Sequence, residues 1–103
     1  MKIHSTRQIK RCIDLNALSG NYRILAERCQ GSECATVVKA NGYGLGVDAV
    51  SRVFHDSGCH SFFVATLEEG EQLRRSLPAA SIYILNGVGR ESAERFNQAR
   101  LIP

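Results

Sequence analysis

Ala35-Thr36-Val37-Val38-Lys39-Ala40-Asn41-Gly42-Tyr43-Gly44-Leu45-Gly46 decides how the rest of the chain is read. Thr36 to Ala40 is a short, apolar, β-branched run, which suits a strand buried on both faces of a parallel sheet. One lysine sits near its end. The chain then breaks into a loop with glycine at every second position. Alternation along the strand puts Val37 and Lys39 on one face, and Thr36, Val38 and Ala40 on the other. Lys39 therefore falls at the carboxyl end of its strand, the end where α/β barrels carry their chemistry. A lysine held there is partly desolvated, which disfavours the ammonium form and frees the amine as nucleophile or base. Gly42, Gly44 and Gly46 let the backbone approach a ligand and turn its N–H groups outward, as phosphate-binding loops do. Tyr43 adds a hydroxyl donor. The spacing is neither the dinucleotide fingerprint nor a P-loop.

Working outward, two more strand signals follow, Ser61-Phe62-Phe63-Val64-Ala65 and Ser81-Ile82-Tyr83-Ile84-Leu85. Each is followed by a helical pattern. Val47, Val50, Val53 and Phe54 line one face of a helix, with Asp48 in its first turn where the dipole favours an anion. Thr66-Leu67-Glu68-Glu69 is a capping box that opens a helix through about Ser76. Glu68 and Glu69 are read as cap and first-turn charges, not as a catalytic pair. Arg90 to about Ala99 is a further helix. The strands begin at 36, 61 and 81, the rhythm of a repeated strand–helix unit and hence of a parallel sheet. The next strand is due near residue 101, and Leu101-Ile102-Pro103 ends the sequence.

Upstream, Asp14 reads as a helix N-cap. Leu15, Leu18, Tyr22, Leu25 and Cys29 then form one apolar stripe over about four turns, closed by Gly31-Ser32. Residues 8–13 alternate as a short strand with no partner nearby. The expected fold class is α/β: part of a TIM-type (β/α)8 barrel, with about three parallel strands and four helices. A full barrel takes about 250 residues, so residues 14–103 are expected to be its first part.

Composition narrows the function classes. The chain has 103 residues, 44% hydrophobic and 22% charged, with a net charge of +3. That is ordinary for a globular domain. The basic residues are scattered, without the dense stripe and interleaved aromatics of a nucleic-acid binder. No apolar run approaches the ~20 residues of a membrane span, and the N-terminus lacks a signal-peptide core. A cytoplasmic location, with neither nucleic acid nor membrane as partner, is expected. Cys12, Cys29, Cys34 and Cys59 form no CxxC pair, so no metal site is expected. His4, His55 and His60 lack readable acid/base partners and are assigned to surface or packing roles.

The lysine–glycine stretch resembles a known signature. Val37 to Gly46 agrees at eight of ten positions with the pyridoxal-phosphate-binding motif of alanine racemases, valine-valine-lysine-alanine-asparagine-alanine-tyrosine-glycine-histidine-glycine. Gly42 stands where the family has alanine, and Leu45 where it has histidine. Ile13-Asp14, Val64 to Gly70 and Leu73-Arg74 are similar as well, so the resemblance covers nearly the whole chain. It implies that Lys39 carries pyridoxal 5'-phosphate as an aldimine and is one of two catalytic bases. It implies that Tyr43 hydrogen-bonds the cofactor phosphate, and that Val37 and Leu85 line the cofactor. The reaction implied is interconversion of L- and D-alanine, supplying D-alanine for peptidoglycan and the cell wall. In the family a β-domain follows the barrel. A tyrosine from that domain is the second base, contributed across a dimer, so a homo-oligomer is implied. Residues 1–13 would pair with that domain. Two other readings stand beside this one: an inactive barrel fragment that self-associates, and the start of a related pyridoxal-phosphate decarboxylase or carrier.

Overall fold

In a computed structural model the described residues are 14–29, 32–39, 42 and 46–103. Their helices are α1 (Leu15–Arg28), α2 (Val47–Asp56), α3 (Leu67–Ser76) and α4 (Ala93–Ala99), the last entered through a 3-10 turn at Arg90–Ser92. The strands are β1 (Thr36–Val37), β2 (Ser61–Val64), β3 (Ser81–Ile84) and β4 (Leu101–Ile102). All pair in parallel, in the order β1-β2-β3-β4. A strand followed by a helix that returns the chain for the next parallel neighbour is the repeating unit of α/β folds. The fourth strand begins at residue 101, where the spacing of the first three places it.

Local signals set the helix starts. The Asp14 carboxylate accepts from the Ala17 N–H at 3.0 Å. Thr66 Oγ1 accepts from the Glu69 N–H, while Glu69 Oε1 accepts from the Thr66 N–H at 3.1 Å, completing the capping box. Asp48 lies in the first turn of α2.

Two rows of residues cross the sheet. Thr36, Phe62, Ile82 and Leu101 stand in register, and so do Val37, Phe63, Tyr83 and Ile102. The first row faces the helices. Phe62 and Ile82 are fully buried there, with Val64, Leu73 and Phe96 in the same core. Each such side chain contributes about 1.5–3 kcal/mol by leaving water. Gly70 lets α3 lie close against this face: a β-carbon there would come within 2.5 Å of Ile84 Cδ1. The second row faces away from the helices. Val37 and Ile102 are exposed, and the Phe63 and Tyr83 rings stack at 4.6 Å.

Two expectations change in the structure. The strand read over 36–40 ends at Val37. The Val38 N–H still donates to the Phe63 carbonyl at 2.9 Å, but the backbone turns helical at Lys39. The Gly42 N–H donates back to the Val38 carbonyl at 2.9 Å, which closes that turn and halts pairing with β2. The stripe on α1 is only half used: Tyr22 is buried and Leu18 packs on the core, but Leu15 and Leu25 are exposed. The helix lies beside α2, with the Tyr22 and Phe54 rings 5.8 Å apart and a Ser19–Ser57 hydroxyl hydrogen bond of 2.7 Å, so one edge of the stripe meets a neighbour. The expected strand at 8–13 lies outside the described residues.

Arg74 binds the far end of the sheet together. Its guanidinium donates to the carbonyls of Leu77, Pro78, Ala80, Ala99 and Arg100, at 2.6–3.1 Å. Carbonyls past a helix C-terminus lack intrahelical donors, and here one side chain serves the ends of both α3 and α4. Burial, and then Arg100, lower the Arg74 pKa from its ordinary value. The guanidinium stays charged nonetheless.

Candidate functional site

The carboxyl ends of the parallel strands share one end of the sheet, and three of the four expected site residues, Lys39, Val37 and Leu85, lie at or just past those ends. Lys39 lies two residues past β1 and is half-buried. Leu85 follows β3. Its N–H donates to the Val64 carbonyl at 2.8 Å, so the ladder continues one bond past the strand, while its side chain is 53% exposed. Val37 is 43% exposed on the same open face. The alternation that buries Ile84 under the helices is what leaves Leu85 facing outward. Val37 and Leu85 thus share one open face, and Lys39 lies near the same end of the sheet. Tyr43, with Gly44 and Leu45, lies outside the described residues.

Two of the loop's glycines, Gly42 and Gly46, have a backbone reason. Gly42 has φ +67° and Gly46 φ +98°, conformations that side chains rarely adopt. At Gly42 a β-carbon would also sit 3.4 Å from Val47 Cα. Gly42 therefore permits a left-handed conformation three residues after Lys39. Gly46, with open space around its Cα, starts α2 without a side-chain cap.

Behind this edge the capping box steadies the loop after β2. Glu69 Oε1 takes the N–H groups of both Ala65 and Thr66, at 2.8 and 3.1 Å. Glu68 instead approaches Arg95 at 3.5 Å. The two glutamates thus hold structure, as their sequence context indicates. His55 and His60 meet edge to face at 5.8 Å, away from Lys39's strand end. Among the described residues no cluster of His, Cys, Asp and Glu is placed to hold a metal ion. Among the same residues no helix is long and apolar enough to cross a membrane.

Reading strands one at a time passes over the Phe63–Tyr83 pair. The signal was present: both are the third residue of their strands, and parallel pairing in register stacks like positions. Together with Val37 they line the open face that Leu85 shares. An amine beside apolar, outward-facing side chains can hold a planar aromatic carbonyl compound by covalent and van der Waals contact. The residues present fit pyridoxal phosphate in that respect.

Comparison with known proteins bears on the same residues. Residues 13–103 match the family model described as alanine racemase, N-terminal domain. An alanine racemase of Methylobacterium sp. (strain 4-46) is 46% identical over 91 residues, covering 88% of this chain and 25% of that protein. A catabolic alanine racemase of Agrobacterium fabrum is 49% identical over 77 residues, covering 74% of this chain and 20% of that protein. Among solved structures, alanine racemase from Bartonella henselae with covalently bound pyridoxal phosphate superimposes with a TM-score of 0.84 at 42% identity. That match covers 88% of this chain and 26% of that one. The chain thus spans about a quarter of the length of the relatives it matches.

Proposed function

The chain belongs to the alanine racemase family, in its N-terminal domain, and from that premise we propose that it supplies the cofactor-anchoring part of an enzyme interconverting L- and D-alanine. The observation that carries the reading is the placement of Lys39 at the carboxyl end of β1, with Val37 and Leu85 open on the same face. The similar alanine racemase from Bartonella henselae, with covalently bound pyridoxal phosphate, supports the choice of cofactor.

Each residue has a role in this reading. Lys39 holds the cofactor, and its amine then moves a proton at one face of the substrate α-carbon. Val37 and Leu85 wall the cofactor ring and keep water from it. The Tyr43 hydroxyl donates to the phosphate. The cofactor's chemistry is to delocalise the electron pair left when that proton departs. A second base, on the opposite face, comes from sequence beyond these residues, across a homo-oligomer. Residues 1–13 pair with a β-rich domain of the whole protein. The D-alanine formed serves cell-wall synthesis in the cytoplasm.

A chimera tests the proposal. These 103 residues replace the corresponding quarter of the Methylobacterium relative, and D-alanine formation from L-alanine is followed. The chimera is expected to racemise alanine, and Lys39→Ala to cost at least the 10²–10⁴-fold typical of a lost general base. A Lys39→Ala chimera as active as its parent would end the reading.

A further inference from the structure

The open face and the open edges of this sheet belong together. Among the described residues β1 pairs only with β2 and β4 only with β3, so each leaves one edge free. Between those edges lies the row Val37, Phe63, Tyr83 and Ile102, in which Val37 and Ile102 are exposed. An unpaired edge is a template for another strand.

The helix layer has the same two ends. α1 packs on α2, α2 on α3 and α3 on α4, so the helices run in the order of the strands. The two layers are offset, because the order α1-β1-α2-β2-α3-β3-α4-β4 starts with a helix and finishes with a strand. At the β1 end, α1 leaves Leu15, Ile24 and Leu25 exposed. A groove lined by Leu18, Tyr22, Leu25, Thr36 and Val37 runs between α1 and β1.

We propose that two copies of the 103-residue chain close on each other about a two-fold axis into one eight-stranded parallel barrel, β4 of each pairing with β1 of its partner. The count closes: such a barrel has eight parallel strands ringed by helices, and each copy supplies four strands and four helices. A partner must offer an edge to β1 and another to β4 at once, and a second copy does both with the same two strands. Rotation about the barrel axis keeps every strand pointing the same way, so the two new pairs are parallel like those within each copy. The contact is self-complementary and repeats on the opposite side. A barrel shear of about eight residues divides into two equal, even steps, so each seam preserves which side chains point inward. The offset of the layers then has a use. α1 of one copy takes the place of a helix following β4 of the other, and strand and helix alternate without a gap around the ring. Ile102 comes to the seam from one copy. Leu15 and Leu25, the unused half of the α1 stripe, come from the other. Inside, alternate strands pair Val37 with Tyr83 and Phe63 with Ile102 from each copy, giving the four-membered layers of a closed barrel. Both Lys39 residues lie at the same end of that barrel. The closure is independent of the cofactor chemistry proposed above.

Sedimentation equilibrium of the 103-residue chain tests the closure. The expected species is a dimer of twice the 11.3 kDa of the chain, with nothing larger as concentration rises. Ile102→Asp places a carboxylate without a partner in the seam from the strand side, and Leu25→Asp does so from the helix side. Each should shift the mass to the 11.3 kDa of a single chain. Both side chains are exposed in the single chain, so each variant should keep the far-UV circular dichroism of the parent. Val88→Asp, equally open but in the loop after β3, should stay dimeric. A monomeric parent would overturn the proposal. So would a mass that climbs steadily with concentration, as for edges that pair without closing. A dimer that survives Ile102→Asp or Leu25→Asp, or that is lost with Val88→Asp, would place the contact elsewhere and overturn it too.

Discussion

The two faces of the sheet are built from alternate residues of the same strands, yet they behave as different materials. Phe62, Ile82 and Leu101 lie under the helices and are buried. Phe63, Tyr83 and Ile102, each one residue on, stand in the row that includes exposed Val37. The covered face is satisfied within the described residues. The open face carries Val37 and Leu85, the side chains proposed to wall the cofactor. Stability is therefore concentrated on one side and the proposed chemistry on the other, so a mutation on each side should fail in its own way.

The largest contrast is between neighbours in β2. Phe62→Ala should cost about 3–5 kcal/mol, as for other buried aromatics. Phe63→Ala removes a half-buried ring stacked on Tyr83 and should cost markedly less, on the order of 1–2 kcal/mol. Urea denaturation of the two variants measures both. Equal losses would mean that the open face is packed as tightly as the covered one.

Arg74 comes next. Arg74→Met keeps the stem but leaves the carbonyls beyond α3 and α4 without their donor, at a cost of about 1–3 kcal/mol. The same denaturation assay should show Arg74→Lys recovering part of that loss, since one ammonium cannot reach five carbonyls at once.

On the open face, Leu85→Ala should leave stability within about 0.5 kcal/mol, because the side chain is already exposed. It should weaken retention of pyridoxal phosphate by the chain, read as cofactor remaining after gel filtration. A destabilised Leu85→Ala with unchanged retention would reverse the assignment of the two faces.

The smallest effect is at the rim of the covered face, where Arg95 of α4 pairs with Glu71 of α3. The hydrogen bond from Arg95 holds the Glu71 carboxyl below its ordinary value of 4.5. A folded-state pKa lowered in this way contributes stability above pH 4.5, and the contribution is lost as pH falls through the folded value. The pair is exposed and its contribution small. Denaturation midpoints at pH 7 and below pH 4 should converge slightly more for Glu71→Gln than for the parent.

How much of this is legible in sequence follows from the range of each interaction. Asp14, Thr66 and Glu69 act within three residues of themselves, so the helix starts they set are readable directly. The strand spacing carries on to Leu101 because each strand–helix unit is about the same length. The end of β1 is not readable in the same way. The run Thr36 to Ala40 is uniformly strand-like, and only the hydrogen bond from Gly42 to Val38 decides that pairing stops. The exposure of Leu15 and Leu25 depends on α1 lying beside α2, which no periodicity states. The Arg74 clamp joins carbonyls up to 26 residues away and has no local signature at all. Lys39 stands out in the sequence because lysine, strand signal and glycine loop are contiguous. Val37 and Leu85 share one open face through the alternation of two separate strands.

The central claim, that Lys39 is the cofactor anchor, can be tested within the chain itself, which has only three lysines, Lys2, Lys10 and Lys39. The folded chain is incubated with limiting pyridoxal phosphate, reduced with borohydride and mapped by peptide mass. The prediction is a pyridoxyl group on Lys39 well in excess of Lys2 and Lys10, with the preference lost in urea. Equal labelling of the three lysines in the folded chain would contradict it.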